Sequence, residues 1–163
     1  MRCVNLGVAR RHVTDKHWIH FAGDTVFQRV FVQGNASPHC NPPGGCGLTC
    51  EIGYSRAEPL PATGAALIER CVRDCVRVGL LDASDALLTS NELDVRYACI
   101  VDDPGRAERV ARIRDWLCEF DIILAGRYSE WQHSDWDHAF VAGKKAAELA
   151  LQRTAGRPAA MTA

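Results

Sequence analysis

The residues best suited to chemistry in this 163-residue chain lie between Gly126 and Glu148, where a Gly-Arg pair leads through aromatic and polar side chains into a predicted helix. The first turn of a helix has unsatisfied N–H groups and a partial positive charge, so it favours an anion or an electron-rich carbonyl. Arg127 can donate two parallel hydrogen bonds to the same kind of group. The alternative interpretation is a capped surface helix beside an exposed arginine, and composition alone favours it.

The helix after this segment is predicted from about Trp136 to Gln152. Ser134–Asp137 fits the capping-box start of such a helix. One face of the helix carries aromatic, aliphatic and small side chains at helical spacing, namely Trp136, Phe140, Gly143, Ala147 and Leu151. The small residues on that face would let another backbone approach closely.

Strands are predicted before this helix from composition and from alternation of apolar and polar residues. Residues 17–22 and 27–34 are rich in aromatic and β-branched side chains, and residues 48–54 alternate with a period of two. Residues 85–101 are predicted to be extended, and residues 121–124 to be a brief strand. Antiparallel strands combined with helices indicate an α+β fold built mainly on an antiparallel sheet.

Two more helices are predicted from apolar stripes at helical spacing. The first covers residues 64–78, with Thr63 as its N-cap and Gly79 as the residue just past its end. Its stripe consists of Leu67, Ile68, Cys71, Val72, Cys75 and Val76. The second begins at Asp103 and Pro104, which suit a cap and a first helical position, and its stripe consists of Val110, Ile113, Leu117 and Phe120.

The segment from Gly126 resembles the closing motif of UDP-galactopyranose mutases and of related flavin oxidoreductases, including protoporphyrinogen oxidase-like members of the flavin amine oxidase superfamily. In that motif a G-R-x-G turn and an aromatic residue precede a D-x-D or x-x-D helix start, and the helix contains G-x-x-A-A. The matching positions are Gly126, Arg127, Trp131, Asp135, Asp137, Gly143, Ala146 and Ala147. Ser129 stands where the family usually has its second glycine, and His133 stands where mutases usually have a substrate-contacting tyrosine.

Three earlier segments, HWIHF, FQRVFVQGNASP and CEIGYS, resemble strands of the same family and occur in the family's order. The resemblance implies FAD as the cofactor, contacted by Gly126, Arg127, Trp131, Asp135, Trp136 and Asp137. It also implies that Arg29 and His133 face a small-molecule substrate. The implied chemistry is hydride transfer from a C–H or C–N centre to the flavin, or a flavin-assisted sugar rearrangement, and it names no general base.

The G-x-G-x-x-G run that holds the FAD pyrophosphate in full-length members does not occur in this sequence. Gly44-Gly45-x-Gly47 follows two prolines and precedes a predicted strand, so it does not qualify. We therefore expect residues 1–152 to be a single incomplete C-terminal half of a flavoprotein, and residues 153–163 to be a flexible tail. Such a half would need a separately encoded FAD-binding half or would form a homo-oligomer. The alternative is a non-catalytic truncated remnant or a protein-interaction module.

The composition excludes several other function classes. The net charge is −1 with scattered basic residues, which argues against nucleic acid as a partner. The longest apolar runs are too short to span a bilayer, and residues 1–11 resemble neither a signal peptide nor a transit peptide. We therefore expect a cytoplasmic location.

Eight cysteines are expected to be reduced, because an even count alone does not imply disulfides in a chain without an export signal. Cys71 and Cys75 are predicted to act as small core hydrophobes. The one metal-like grouping is His39, Cys40, Cys46 and Cys50. It lacks a CxxC pair and surrounds a Pro-Pro-Gly-Gly turn, so no metal site is expected. An independent metal or redox module is the least favoured alternative.

Overall fold

A five-stranded antiparallel sheet forms the centre of the fold. The computed structural model describes residues 1–155, and in them the strands follow the spatial order β2-β3-β4-β1-β5. Their bounds are β1 Arg2–Val8, β2 Trp18–His20, β3 Arg29–Val32, β4 Cys46–Ile52 and β5 Leu87–Asp94. The predicted α+β class with a mainly antiparallel sheet is confirmed.

Five α-helices and one 3₁₀ helix, Pro38–Cys40, occur in the same residues. The α-helices are α1 Gln33–Ala36, α2 Ala65–Arg77, α3 Arg106–Cys118, α4 Arg127–Glu130 and α5 Trp136–Ala155. The chain divides into two compact units, residues 1–98 and the residues from Cys99 onward. The helix α5 continues into the segment predicted as a tail, whose residues 156–163 lie outside the described part of the chain. The interpretation of residues 1–152 as one incomplete flavoprotein region stays a prediction.

The core of the first unit lies between one face of the sheet and α2. Alternate residues of the strands point into it, as the period-two pattern of β4 predicted, and they include Val4, Leu6, Val30, Leu48, Cys50 and Ile52. From α2, Leu67, Cys71 and Cys75 are each 0% exposed. Full burial of one such leucine stabilises a fold by roughly 1.5–3 kcal/mol. The apolar stripe of α2 and the apolar faces of the strands, each predicted from the sequence, therefore pack against each other.

The ends of α2 match the prediction at one terminus only. Gly79 has φ 76° and directly follows the C-cap Val78, so it is the predicted left-handed residue past the helix. The predicted N-cap Thr63 is wrong, because the N-cap is Gly64, with φ 61°. The N–H of Gly64 donates instead to the carboxylate of Glu92 on β5.

The predicted extended segments are longer than the strands that form. Only Trp18–His20 of residues 17–22 and Arg29–Val32 of residues 27–34 are strands, and Gln33 and Gly34 belong to α1. The strand β5 ends at Asp94, and reciprocal Met1–Val95 backbone hydrogen bonds of 2.8 and 3.0 Å close its ladder with β1. Residues 121–124 form no strand in the described structure. The N–H of Asp121 and that of Ile122 turn back to the carbonyls of Cys118 and Leu117, so this segment begins as the end of α3. Alternation alone does not supply the neighbouring strand that an extended segment needs.

No helix in the described part of the chain combines the length and the apolar character needed to cross a membrane.

Candidate functional site

The open face of the sheet, opposite α2, carries an arginine that forms a salt bridge with a glutamate. Arg29 on β3 and Glu51 on β4 are directly paired in the strand register. The Nε and Nη2 atoms of Arg29 both donate to Oε2 of Glu51, at 2.9 and 2.5 Å. Glu51 is only 7% exposed although it lies on the predicted polar face of its strand. The carboxylate therefore holds the predicted substrate-facing arginine in one orientation.

The ring of Trp18, on the neighbouring strand β2, contacts the same guanidinium from a second side. Its central carbon lies 4.4 Å from the centroid of the Trp18 ring, a distance typical of a cation–π contact. Trp18 in turn stacks on Phe31 with centroids 4.2 Å apart. The Nη1 atom of Arg29 has no hydrogen-bond partner among residues 1–155 and is free to bind an anion. Sequence reasoning missed Trp18 and Glu51 as supports, although both flank Arg29 once the strand register is known.

A second candidate arginine lies in the second unit, at the turn predicted from the G-R motif. Gly126 has φ 87°, a value that favours glycine, and it is the N-cap of the short helix α4. Arg127 follows, and its Nη2 lies 3.1 Å from Nδ1 of His133. Its Nε is buried without a hydrogen-bond partner. The structure thus brings together one residue predicted to bind the cofactor and one predicted to face substrate.

Trp131 ends α4 in the left-handed conformation, with φ 48° and ψ 50°. Its carbonyl accepts a 2.5 Å hydrogen bond from Nη1 of Arg106, and Nε of the same arginine lies 2.5 Å from Oδ1 of Asp102. The rings of Trp131 and Tyr128 lie 6.5 Å apart between centroids. A non-glycine residue in this conformation is held by its surroundings, here in part by Arg106.

A cavity of about 450 Å³ opens beside these two rings, entirely within the second unit. Its lining combines aliphatic and aromatic side chains from α3, from α4 and its C-cap, and from the segment between the two helices, including Val110, Ile113, Leu124, Tyr128 and Trp131. Arg106 and Arg109 also line it, and Arg109 is held by both oxygens of Asp103 at 2.6–2.7 Å. The cavity is therefore mainly apolar, and each of its two arginines is paired with a carboxylate.

The start of α5 is open to solvent. The carbonyl of Asp135 accepts the N–H of Ala139, as the residue before a helix does. The side chain of Trp136 is 90% exposed. The backbone N–H of His138, together with the nearby His138 ring, lowers the pKa of Asp137. The predicted capping box is wrong at its first residue, because Oγ of Ser134 is buried without a hydrogen bond.

All eight cysteines are free, and four of them, Cys46, Cys50, Cys71 and Cys75, are buried. Cys50, Cys71 and Cys75 are each 0% exposed in the core of the first unit. No group of three His, Cys, Asp or Glu side chains with the geometry of a metal site occurs in residues 1–155. His39 and Cys40 lie in a short 3₁₀ helix, whereas Cys46 and Cys50 lie on β4, and Cys40 is exposed while Cys50 is buried.

Comparison with solved structures shows that the chain has a flavin oxidoreductase-like fold. No family model matches the sequence. No curated protein matches it either. Among solved structures, the chain is similar to the crystal structure of reduced UDP-galactopyranose mutase. The TM-score is 0.78 and the sequence identity is 25%. The match covers 93% of this chain and 34% of the mutase chain, so this chain spans about a third of the neighbour's length.

Proposed function

We propose that this chain supplies the substrate-facing sheet and a flavin-contacting helix of an FAD-dependent oxidoreductase or mutase. The observation that carries the proposal is the structural match to UDP-galactopyranose mutase over 93% of the chain at a TM-score of 0.78. The order of the family-like segments along the sequence supports it independently.

Arg29 is the proposed substrate-binding residue because its guanidinium is preorganised. The salt bridge to Glu51 and the stacking on Trp18 remove much of the rotamer freedom that a free arginine loses on binding. A fixed guanidinium with a free Nη1 suits a phosphate or carboxylate group. His133, held against Arg127, is the second proposed substrate contact.

The proposed flavin contacts are Gly126, Arg127, Trp131, Asp135, Trp136 and Asp137. Arg127 fits such a role because its buried Nε lacks an acceptor, which a flavin carbonyl oxygen would provide. Bound flavin would supply the hydride-accepting chemistry. The residues of this chain would orient the ring edge and stabilise negative charge there through Arg127 and the N–H groups at the start of α5.

A partner that carries the dinucleotide-binding half is the proposed second component, and a homo-oligomer is the alternative arrangement. Large apolar side chains on α3 and α5 are exposed, and exposed apolar patches of this kind mark sites where another protein binds. They include Ile113 at 56%, Trp116 at 57%, Trp136 at 90% and Phe140 at 78% exposed. The same exposure favours the alternative function, a non-catalytic interaction module, because both need a protein that covers these faces.

Ligand selectivity of the purified chain tests the proposal. We expect riboflavin and FAD to bind with equal affinity within about threefold and more weakly than about 10 µM, because only the ring end of the cofactor has contacts here. ADP should not compete. Flavin fluorescence quenching in a titration measures both affinities, and ADP added to the complex measures competition.

Matched arginine variants distinguish a specific site from non-specific flavin stacking. Arg127→Met should abolish the quenching, whereas Arg114→Met, on the exposed surface of α3, should leave it unchanged. A folded wild-type chain that binds neither flavin would contradict the flavin proposal and favour the interaction module. Tight FAD binding that ADP competes away would contradict the idea of an incomplete site.

A further inference from the structure

A hollow interrupts the side-chain layer on the open face of the sheet, well away from Arg29. Gly7 on β1 and Gly47 on β4 face each other in the strand register, so neither strand places a side chain there. A Cβ atom at Gly7 would lie 2.7 Å from Cγ2 of Thr89, and one at Gly47 would lie 3.3 Å from Oε1 of Gln33. These two side chains therefore form opposite walls of a space of about 370 Å³.

The loop before β4 closes one end of this hollow. Oδ1 of Asn41 accepts the N–H of Gly47 at 3.0 Å, which ties the loop to the strand. Pro42 and Gly45 from the same loop also line the space. Because the loop is tied to the sheet by a hydrogen bond, the hollow is a formed feature of the first unit.

A chain of hydrogen bonds through Thr49 connects three residues that line the hollow, Gln33, Asn5 and Asn91. Gln33 donates through Nε2 to Oγ1 of Thr49. Thr49 donates to Oδ1 of Asn5 at 2.6 Å, and Nδ2 of Asn5 donates to Oδ1 of Asn91 at 2.8 Å. Each bond fixes which end of the next amide is an acceptor, so the groups are oriented before any ligand arrives.

Unused hydrogen-bonding capacity remains at both ends of that chain. Oε1 of Gln33 is buried and accepts no hydrogen bond, although a buried acceptor without a donor costs free energy. At the other end, Nδ2 of Asn91 donates to no acceptor within the described residues. None of the described residues that line the hollow is charged. The site thus offers one acceptor and one donor in a neutral setting.

We infer that the hollow over Gly7 and Gly47 binds an uncharged ligand that carries several hydroxyl groups. A hydroxyl both donates and accepts, so a polyol satisfies Gln33 Oε1 after a small rotation of that side chain and also accepts from Asn91. A charged ligand would lose hydration here without gaining an opposite charge. Gly47 lies four residues from Glu51 along β4, about 13 Å at the usual strand rise, so this site is separate from the arginine site.

Titration of the ¹⁵N-labelled chain with myo-inositol tests the inference, because glycine amides and Asn and Gln side-chain amides give their own NMR signals. We expect saturable shifts confined to Gly7, Gly47, Asn5, Gln33 and Asn91. Inorganic phosphate and acetamide serve as the charged and the hydroxyl-free probes, and neither should shift these signals. Shifts spread over the whole surface, or a response to phosphate or acetamide alone, would overturn the inference.

Two variants remove the site in different ways. Gly47→Ala places a methyl group in the hollow and should abolish the shifts, whereas Gly23→Ala, with no neighbour within 4 Å of the added atom, is the matched control. If Gly47→Ala fails to fold, Gln33→Met carries the test, and it should weaken binding by about threefold to tenfold through loss of one hydrogen bond. Unchanged inositol binding in a folded Gly47→Ala or Gln33→Met chain would refute the site.

Discussion

Nε and Nη2 of Arg29 share a single carboxylate oxygen of Glu51, at 2.9 and 2.5 Å, across the register of β3 and β4. The pair lies on the open face of the sheet, yet the Glu51 side chain is only 10% exposed. The carboxylate therefore holds the arginine in place, and the arginine supplies the hydrogen bonds that this nearly buried carboxylate needs.

Removal of Glu51 should weaken the first unit measurably. We expect Glu51→Ala to lower the free energy of unfolding by about 2 kcal/mol, because charged hydrogen bonds are lost and Arg29 keeps its charge without a partner. Glu51→Gln should cost less, since one acceptor remains. Urea denaturation followed by circular dichroism measures both. As the control, Glu69→Ala breaks an exposed 3.9 Å pair with Arg73 and should cost below about 0.5 kcal/mol.

Asp74 predicts a specific pH dependence of stability. Burial acts to raise its pKa, but hydrogen bonds from the backbone N–H of Val26 and from Arg70 and Arg77 outweigh burial and leave the pKa lowered. A carboxyl group with a lowered folded pKa stabilises the fold above its unfolded pKa, and that contribution is lost as the pH falls through the folded pKa. The stability advantage of wild type over Asp74→Asn should therefore be full at pH 7 and should shrink below about pH 4.

Denaturant unfolding of both proteins between pH 7 and pH 3 measures this advantage. At pH 7 the expected difference is about 1–3 kcal/mol, because the amide introduced by Asp74→Asn replaces one acceptor oxygen by a donor near two arginines. An advantage that stays constant across this range would show that Asp74 titrates as it does in the unfolded chain.

Gly126 should tolerate no side chain. Its φ of 87° is accessible to glycine and strained for alanine, so Gly126→Ala should lower the free energy of unfolding by about 1–3 kcal/mol. Gly143→Ala is the matched control, because Gly143 lies within α5 with open space around an added Cβ. That change should stabilise the isolated chain by up to about 1 kcal/mol. Tryptophan fluorescence in a urea series measures both, and equal effects would contradict the strain at Gly126.

Thiol reactivity should separate the cysteines into groups. Cys40, Cys99 and Cys118 are exposed and should react with a thiol reagent in the native chain at pH 8. Burial and the charge of Glu51 raise the pKa of Cys3, which should slow its reaction. Hydrogen bonding to Cys71 and Cys75, together with burial, raises the pKa of Cys50, and this thiol should react only after unfolding.

Mass spectrometry after timed labelling identifies the modified residues, and labelling in guanidinium gives the full count of eight as the reference. Rapid native labelling of Cys50, Cys71 or Cys75 would show that the core between β4 and α2 opens readily.

The sequence by itself determined the parts of this protein that depend on local periodicity. The alternation over residues 48–54 and the stripe from Leu67 to Cys75 predicted the correct strand and helix, because each pattern repeats with the period of its own element. Gly126 and Gly79 were also predictable, since a left-handed backbone strongly favours glycine.

Only the tertiary structure decided which distant residues meet. Strand register brought Glu51 beside Arg29 and set Gly7 opposite Gly47, and no local pattern encodes a register. Residues 121–124 have the composition of a strand but form none in the described structure, because a strand exists only when another strand pairs with it. Local patterns thus determined β4 and α2, whereas pairing across the sheet created the arginine site and the hollow.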